Sequence, residues 1–388
     1  MENQRLFVWA ALGLVLWLNY IAWQGDYAPQ PAPAAQVTAP ATQGQPTTPE
    51  ELPDLPSAEG APAAPASSTA SAGVERAAAA APTIRVVTDV LDMQISTRGG
   101  ELQRADLLKY PKVKNEPGVP VRLFDTDGTL FVARSGLRAA DQRSEPTHAV
   151  TYQAQSTEYR LQPGFTQLEV PLTWTDGQGL TVTKTYIFKP GSYRIDLKYD
   201  VQNATASDWR GASYVQLIRH YEHVERSYFK VETYAYRGPA IYDGKGSRKL
   251  DVEDSEDRSY KNTITGGWIA SLQHHFVAAA VPPTDATYDY QLSVNADNDY
   301  TLSYRGPLKT VAAGSTGTFT ETLFVGPKLQ EQLEATGPKL ELTADYGKLT
   351  IISQPLFWLL DKVHGFVGNW GLAIIIVTFL IKLVFYKL

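Results

Sequence analysis

The sequence predicts a mainly β protein: one large sandwich of antiparallel sheets, followed by short helices and flanked on both sides by membrane-apolar segments. Three observations predict it. From Thr83 to about Val325 the chain is a succession of short stretches rich in Val, Ile, Thr, Tyr and Phe, separated by turn-forming pairs. Leu6 to Trp23 forms an apolar run without a charge. Asn369 to Leu388 forms a second, with a lysine, Lys382, inside it. An ionisable residue in such a run costs about 2.5–3.5 kcal/mol on insertion scales, so its presence demands a reason.

Composition narrows the function classes. The 388 residues carry a formal net charge of −6. The Lys and Arg clusters that neutralise phosphates are missing, which excludes an electrostatic grip on nucleic acid. With no cysteine, disulfides, thiolate metal sites and a cysteine nucleophile are excluded together.

Taken in order, residues 1–5 form a short N-terminus whose Arg5 and α-amino group favour the cytoplasmic side. Residues 6–23 form a first transmembrane helix, with Tyr20 and Trp23 where an interfacial aromatic belt falls. The alternative is a cleaved signal peptide with a small-residue site near Ala32 to Ala35. Residues 24–82 are Ala, Pro, Gln, Thr and Ser with few large apolar groups, a composition that offsets no ordering entropy and reads as a disordered linker.

The β region follows. Strands are expected at Ile84–Val90, Leu168–Trp174, Thr181–Phe188, Tyr193–Val201, Tyr288–Val294 and Thr318–Val325. Turns are expected at Asp127-Gly128, Asp176-Gly177, Pro190-Gly191, Asp243-Gly244 and Arg305-Gly306-Pro307. Alternation through Thr181 to Ile187 indicates a strand with one wet face. The period then changes. Pro327–Thr336 reads as a short helix with Pro at its start and Gly337-Pro338 as its stop. Gln354–Val367 reads as a second, with Ser353 as N-cap and Pro355 in the first turn. Leu356, Leu360, Val363 and Val367 make its apolar stripe, with Leu359 and Phe366 beside it and Asp361, Lys362, His364 and Gly365 opposite. Such a helix, joined by a Gly368-Asn369 hinge to a spanning segment, lies in the interface plane, or else packs on the β domain.

Candidate chemistry is sparse. His220 and His223 have an H-x-x-H spacing but point to opposite faces of a strand, as do His274 and His275. The acidic run Asp251 to Asp257 lacks the glycine and terminal glutamate of a calcium loop and reads as a mobile surface loop. Gly244-Lys245-Gly246-Ser247 is a turn, not a phosphate loop, and there is no G-x-S-x-G elbow. No catalytic residue, metal site or cofactor site is expected.

A set of short motifs, in this order and between the two apolar segments, carries a resemblance: Ser96 to Gly100, Gly266 to Gln273, Val325 to Lys328, Asp345 to Gly347, Ile352 to Phe357 and Val367 to Gly371. The chain resembles the YidC-type membrane protein insertases of Gram-negative bacteria, a family related to the Oxa and Alb insertases. The resemblance implies that residues 83–342 are a periplasmic antiparallel β-supersandwich, similar in fold to sugar mutarotases without being one. It implies that 353–368 is an interfacial helix and 369–388 the second transmembrane helix of a multi-pass protein of the cell inner membrane. Such a protein assists insertion and folding of nascent membrane proteins into the lipid bilayer, alone or with the Sec translocon including SecDF, without covalent chemistry. Ribosome contact is implied only through a C-terminal part beyond Leu388, since family members continue through further core helices.

By resemblance Lys382 takes the place of the basic residue lining the family's hydrophilic groove, usually arginine. Lysine keeps the charge and loses the planar five-donor fork. The alternative for Lys382 is a shorter, shifted helix with Lys382 and Lys387 both at the interface. The alternative for the protein is a membrane-tethered periplasmic binding or scaffold module for a sugar or protein partner.

Overall fold

The computed structural model describes Trp17 and residues 81–113, 116, 118–142, 144–223, 235–344 and 350–386. The expected first span lies outside the described residues apart from Trp17, which is helical and exposed. The expected linker lies outside them up to residue 80, as does the motif Asp345-Tyr346-Gly347.

Among the described residues, twenty strands follow one another from Thr83 to Pro327. The first ten are β1 (Thr83–Val87), β2 (Leu91–Ser96), β3 (Leu102–Pro111), β4 (Pro120–Arg122), β5 (Phe131–Ala139), β6 (Gln153–Ala154), β7 (Glu158–Arg160), β8 (Leu168–Thr175), β9 (Leu180–Phe188) and β10 (Arg194–Asn203). The second ten are β11 (Trp209–His220), β12 (Gly238–Tyr242), β13 (Ser247–Lys249), β14 (Lys261–Thr265), β15 (Trp268–Leu272), β16 (Phe276–Val281), β17 (Thr287–Val294), β18 (Asp299–Arg305), β19 (Lys309–Val311) and β20 (Ser315–Pro327). Each of the six expected strands is present, with ends shifted by a few residues.

They form two sheets. The 11-stranded sheet runs β14-β17-β18-β11-β5-β3-β2-β1-β7, with β19 beside β11 and β4 beside β3. The 9-stranded sheet runs β13-β12-β15-β16-β20-β10-β9-β8-β6. The β1–β7 contact is parallel, in sheets that are otherwise antiparallel ladders. The longest of these ladders pairs Arg194 with Phe324 through Asn203 with Ser315. Period-2 patterning puts Ile195, Leu197, Tyr199 and Val201 of β10 into the core and their neighbours on the wet face. In β9 the same alternation sends Val182, Lys184 and Tyr186 inward together, so a lysine lies on the dry face and is fully buried. Trp268, Tyr186, Tyr199, Tyr304 and Phe319 are among the largest side chains of the continuous core between the sheets.

The turns form where Asp, Pro and Gly foretell them. Gly177, Gly191 and Gly244 all have positive φ. At Gly244 the Asp243 carboxylate accepts from the backbone N–H of Lys245 and Gly246 at 2.8 Å each, an Asx-type turn that closes the β12–β13 hairpin.

The helices correct several sequence expectations. The acidic run is not a mobile loop. Asp254 caps a short helix, α1 (Ser255–Arg258), by accepting from the Glu256 N–H, and Asp257 is buried against Arg248 and the N–H of Asp251. The next helix, α2, is Gln330–Thr336 rather than starting at Pro327, because Pro327 is still paired with Phe276 as the end of β20. Gly337 stops it as expected, donating to Leu333 O. A 3₁₀ turn at Leu340–Thr343 follows. The helix expected from Gln354 begins at Thr350: α3 is Thr350–Val367, so Ser353 is not its cap and Pro355 lies inside it. Proline there removes one backbone donor, a loss that a helix of this length tolerates near its start.

Helix α4 spans Trp370–Val384, 15 residues, or about 22 Å at 1.5 Å per residue. Among the described residues no helix is long and apolar enough to cross a membrane.

Candidate functional site

Helices α3 and α4 carry every residue that the sequence singles out for function, and they pack against each other. On α3, Leu360, Val363 and Val367 are half-buried and Leu356 is 39% exposed. Three of the four stripe residues are thus partly covered and the first is open. Two side chains depart from the expected pattern. Phe366, placed beside the stripe, is 93% exposed. His364, placed on the polar face, is half-buried because its ring stacks on Trp370, with centroids 3.7 Å apart and planes 8° from parallel.

On α4 only Ala373 and Val377 are buried. Ile374, Ile375, Phe379, Leu383 and Val384 face outward. Lys382 sits in the last turn and is exposed. At 100° per residue it lies about 180° from Ala373 and about 140° from Val377, on the side away from the buried line. A cation in the last turn of a helix also meets the negative end of the backbone dipole. Lys387 lies outside the described residues.

Two residues join the helices. Gly368 has φ +66° and donates its N–H to His364 O at 2.7 Å, the left-handed close of α3 that glycine alone adopts freely. Asn369 is extended and caps α4: its side-chain oxygen accepts from the Leu372 N–H at 3.1 Å. A Cβ on Gly371 would crowd that oxygen at 3.3 Å. The motif Val367 to Gly371 is thus a two-residue elbow in which each residue has a geometric task.

The other motifs resolve into architecture as well. Gly99 and Gly100 both have positive φ, and a Cβ at Gly99 would collide with the His148 backbone. Their carbonyls receive Lys184 from the opposite sheet: its ammonium donates to Gly99 O at 2.7 Å, Gly100 O at 3.3 Å and Ser135 O at 3.1 Å. The rings of Tyr152, Tyr186 and Tyr199 stand 5.2–5.9 Å away. Burial pulls the Lys184 ammonium down from 10.5 to about 7. A second buried group, Glu321 of β20, accepts from Ser213 Oγ of β11 and Tyr304 OH of β18, at 2.6 Å each. Burial pushes its carboxyl up to about 7 from 4.5, against those two hydrogen bonds. In the motif Gly266 to Gln273, Trp268 is wholly buried, stacks on Tyr242 and donates its indole N–H to Pro338 O at 3.0 Å. Gly326 clears space for the ring of Tyr193.

None of the tempting histidines forms a centre. His220 ends β11 and pairs with Asp299 at 2.8 Å. His274 and His275 lie in the β15–β16 turn rather than in a strand, so their rings stack 3.9 Å apart instead of facing opposite ways. Among the described residues no group of three or more His, Cys, Asp or Glu could hold a metal ion.

Sequence reasoning missed an open cleft of about 800 Å³ beside β3 and β4. Its charges are largely taken up internally. Asp106 is held between Arg104 and Arg122, Asp92 pairs with Arg85, and Arg219 donates to Ser271 Oγ and Leu272 O while lying over Phe131.

The class these features define is a large antiparallel β sandwich joined to a pair of helices with an apolar outer surface. The chain belongs to the YidC family: the model for the YidC periplasmic domain matches residues 83–359. Over its whole length the chain is 41% identical to the membrane protein insertase YidC of Nitrosococcus oceani, covering 70% of that protein. It is 41% identical to that of Thioalkalivibrio sulfidiphilus over 70%, and 35% to that of Ectopseudomonas mendocina over 71%. Among solved structures, a galactose mutarotase related enzyme from Lactobacillus acidophilus matches with a TM-score of 0.41 at 7% identity, covering 63% of this chain and 97% of that one. That likeness is too distant to bear on activity.

Proposed function

We propose that this chain works as a membrane protein insertase of the inner membrane, with its β sandwich on the periplasmic side and its helical pair at and in the bilayer. The observation that carries this reading is the match of the entire chain to curated insertases at 41% identity. The physical task is to lower the desolvation barrier for polar flanks of a nascent membrane protein while its apolar segment enters lipid; no bond is made or broken. Lys382, exposed on the side of α4 away from its buried line, supplies the charge that keeps water within reach of such a flank. Leu356, Leu360, Val363 and Val367 seat α3 at the interface, where Trp358 and Phe366 add exposed aromatic surface. Residues 369–388 form a spanning segment and the protein is multi-pass, with residues 6–23 as its first span. The Sec translocon, including SecDF, is a partner of the β domain.

The test is insertion of a short-tailed single-span client by a chain carrying the C-terminal remainder of its longer relatives. Lys382→Arg keeps the native rate. Lys382→Leu lowers it by about tenfold, the order expected when one polar group of a hydrated path is lost. A native rate for Lys382→Leu removes Lys382 from the mechanism. Absence of insertion by the unaltered chain removes the insertase reading itself.

A further inference from the structure

From the geometry of the elbow we infer that His364 and Trp370 are positioning residues: their stacked rings clasp α3 to α4 as one rigid body and so fix the side of α4 on which Lys382 stands. The inference rests on the insertase reading for its functional consequence and on the structure alone for the clasp.

Three independent restraints meet within the ten residues from His364 to Ala373. The first is backbone geometry: Gly368 closes α3 in the left-handed region and Asn369 opens α4 from an extended conformation, so the change of direction is confined to these two residues. The second is the cap, in which Asn369 holds the Leu372 N–H and accepts from Ala373 N at 3.0 Å through its own carbonyl. The third is the ring stack, which ties the last turn of α3 directly to the first residue of α4. The two backbone restraints fix bond directions at the elbow, but a single hinge can still twist. A side-chain contact placed off the chain axis removes that twist, because rotating α4 about its own axis separates the rings.

Twist matters more than bend here. Lys382 lies 12 residues beyond Trp370, so any rotation of α4 at the clasp turns the ammonium by the same angle about the helix. The buried pair Ala373 and Val377 sets the zero of that rotation. The clasp would therefore keep Lys382 opposed to the buried line rather than swinging against it.

The absence of cysteine allows a clean measurement, because two introduced thiols are the sole labels. Asp361→Cys on α3 and Thr378→Cys on α4 are both exposed positions. With the full chain in phospholipid vesicles, spin labels at these sites give one narrow distance distribution. Trp370→Ala and His364→Ala each broaden it by at least about twofold, whereas His364→Phe, which keeps a flat ring, leaves it narrow. A broad distribution in the unaltered chain, or equal widths with Trp370→Ala, overturns the clasp. Insertion rates of the same variants then separate the two readings. A broadened elbow with slowed insertion supports positioning. A broadened elbow with native insertion overturns it and leaves the insertase reading standing.

Discussion

The β sandwich and the helical pair answer to different solvents. In the sandwich even the ionisable groups are drawn inward: Lys184 and Glu321 are buried, and each bridges from the 9-stranded sheet to its partner sheet through hydrogen bonds that use their polar atoms. In the helical pair the large apolar residues are turned outward, Trp358 at 61% and Phe366 at 93% exposure among them. Scattered apolar residues on a surface need no explanation, but a contiguous face of Ile, Leu, Phe and Trp does. The contrast teaches that the first region is stabilised by excluding water from its interior, whereas the second offers apolar surface for something other than water to cover.

The largest expected effect breaks the comparison at two tryptophans. Trp268→Ala removes a buried ring together with its hydrogen bond to Pro338 O, and should destabilise the sandwich by about 3–5 kcal/mol in urea unfolding of the full chain in detergent. Trp358→Ala should shift that midpoint by less than about 0.5 kcal/mol. Its cost should show instead as weaker partitioning of the chain onto vesicles. Equal losses from the two substitutions would mean that the two regions share one solvent after all.

The next effect is pH dependence of the sandwich. Glu321 has a folded-state pKa raised from 4.5 to about 7, so the native state holds its proton more tightly than the unfolded state. Stability from this group is greatest below pH 4.5 and falls as pH rises to about 7. Lys184 has its pKa lowered from 10.5 to about 7, so its contribution has the opposite slope: stability rises between about pH 7 and 10.5. Together they put a minimum in stability near neutrality. Urea midpoints across pH 4–10.5 would show it, at up to about 1.4 kcal/mol per pH unit on either limb. Glu321→Gln should flatten the acid limb and Lys184→Met the alkaline one, with the helical pair indifferent to both.

Much of this division was legible in the sequence. Strand positions followed from β-branched and aromatic runs, and hairpins from Asp-Gly and Pro-Gly pairs, because both signals are local. The alternation through Thr181 to Ile187 foretells a strand with one wet face but does not say that Lys184, in phase with Val182 and Tyr186, lies on the dry one. Polarity alone argued the other way, and only the tertiary cage of three carbonyls reconciles the two. The start of α3 was misjudged because Ser353 and Pro355 carry a strong local N-terminal signature, yet the helix begins one turn earlier at Thr350. The His364–Trp370 stack was out of reach: helical periodicity assigns His364 to the polar face, and the partner that covers it comes from the next helix. Asp257 was hidden for the same reason, its burial depending on Arg248 from the preceding strand β13.

The smallest effects separate two glycines three residues apart. Gly365 lies inside α3, and a Cβ there meets nothing within 4 Å. Alanine at that position gains helix propensity and reduces the freedom of the unfolded chain, so Gly365→Ala should stabilise the helical pair by about 0.5–1 kcal/mol. Gly368 has equally open space around its Cβ position but stands at φ +66°. There the same methyl group costs about 1–2 kcal/mol in backbone conformation alone. Helical circular dichroism of the two variants in detergent, followed with temperature, reads the opposite signs directly. Opposite signs at sites that are equally uncrowded isolate backbone geometry from packing. Equal signs would mean that the elbow is set by what surrounds the helices rather than by the turn between them.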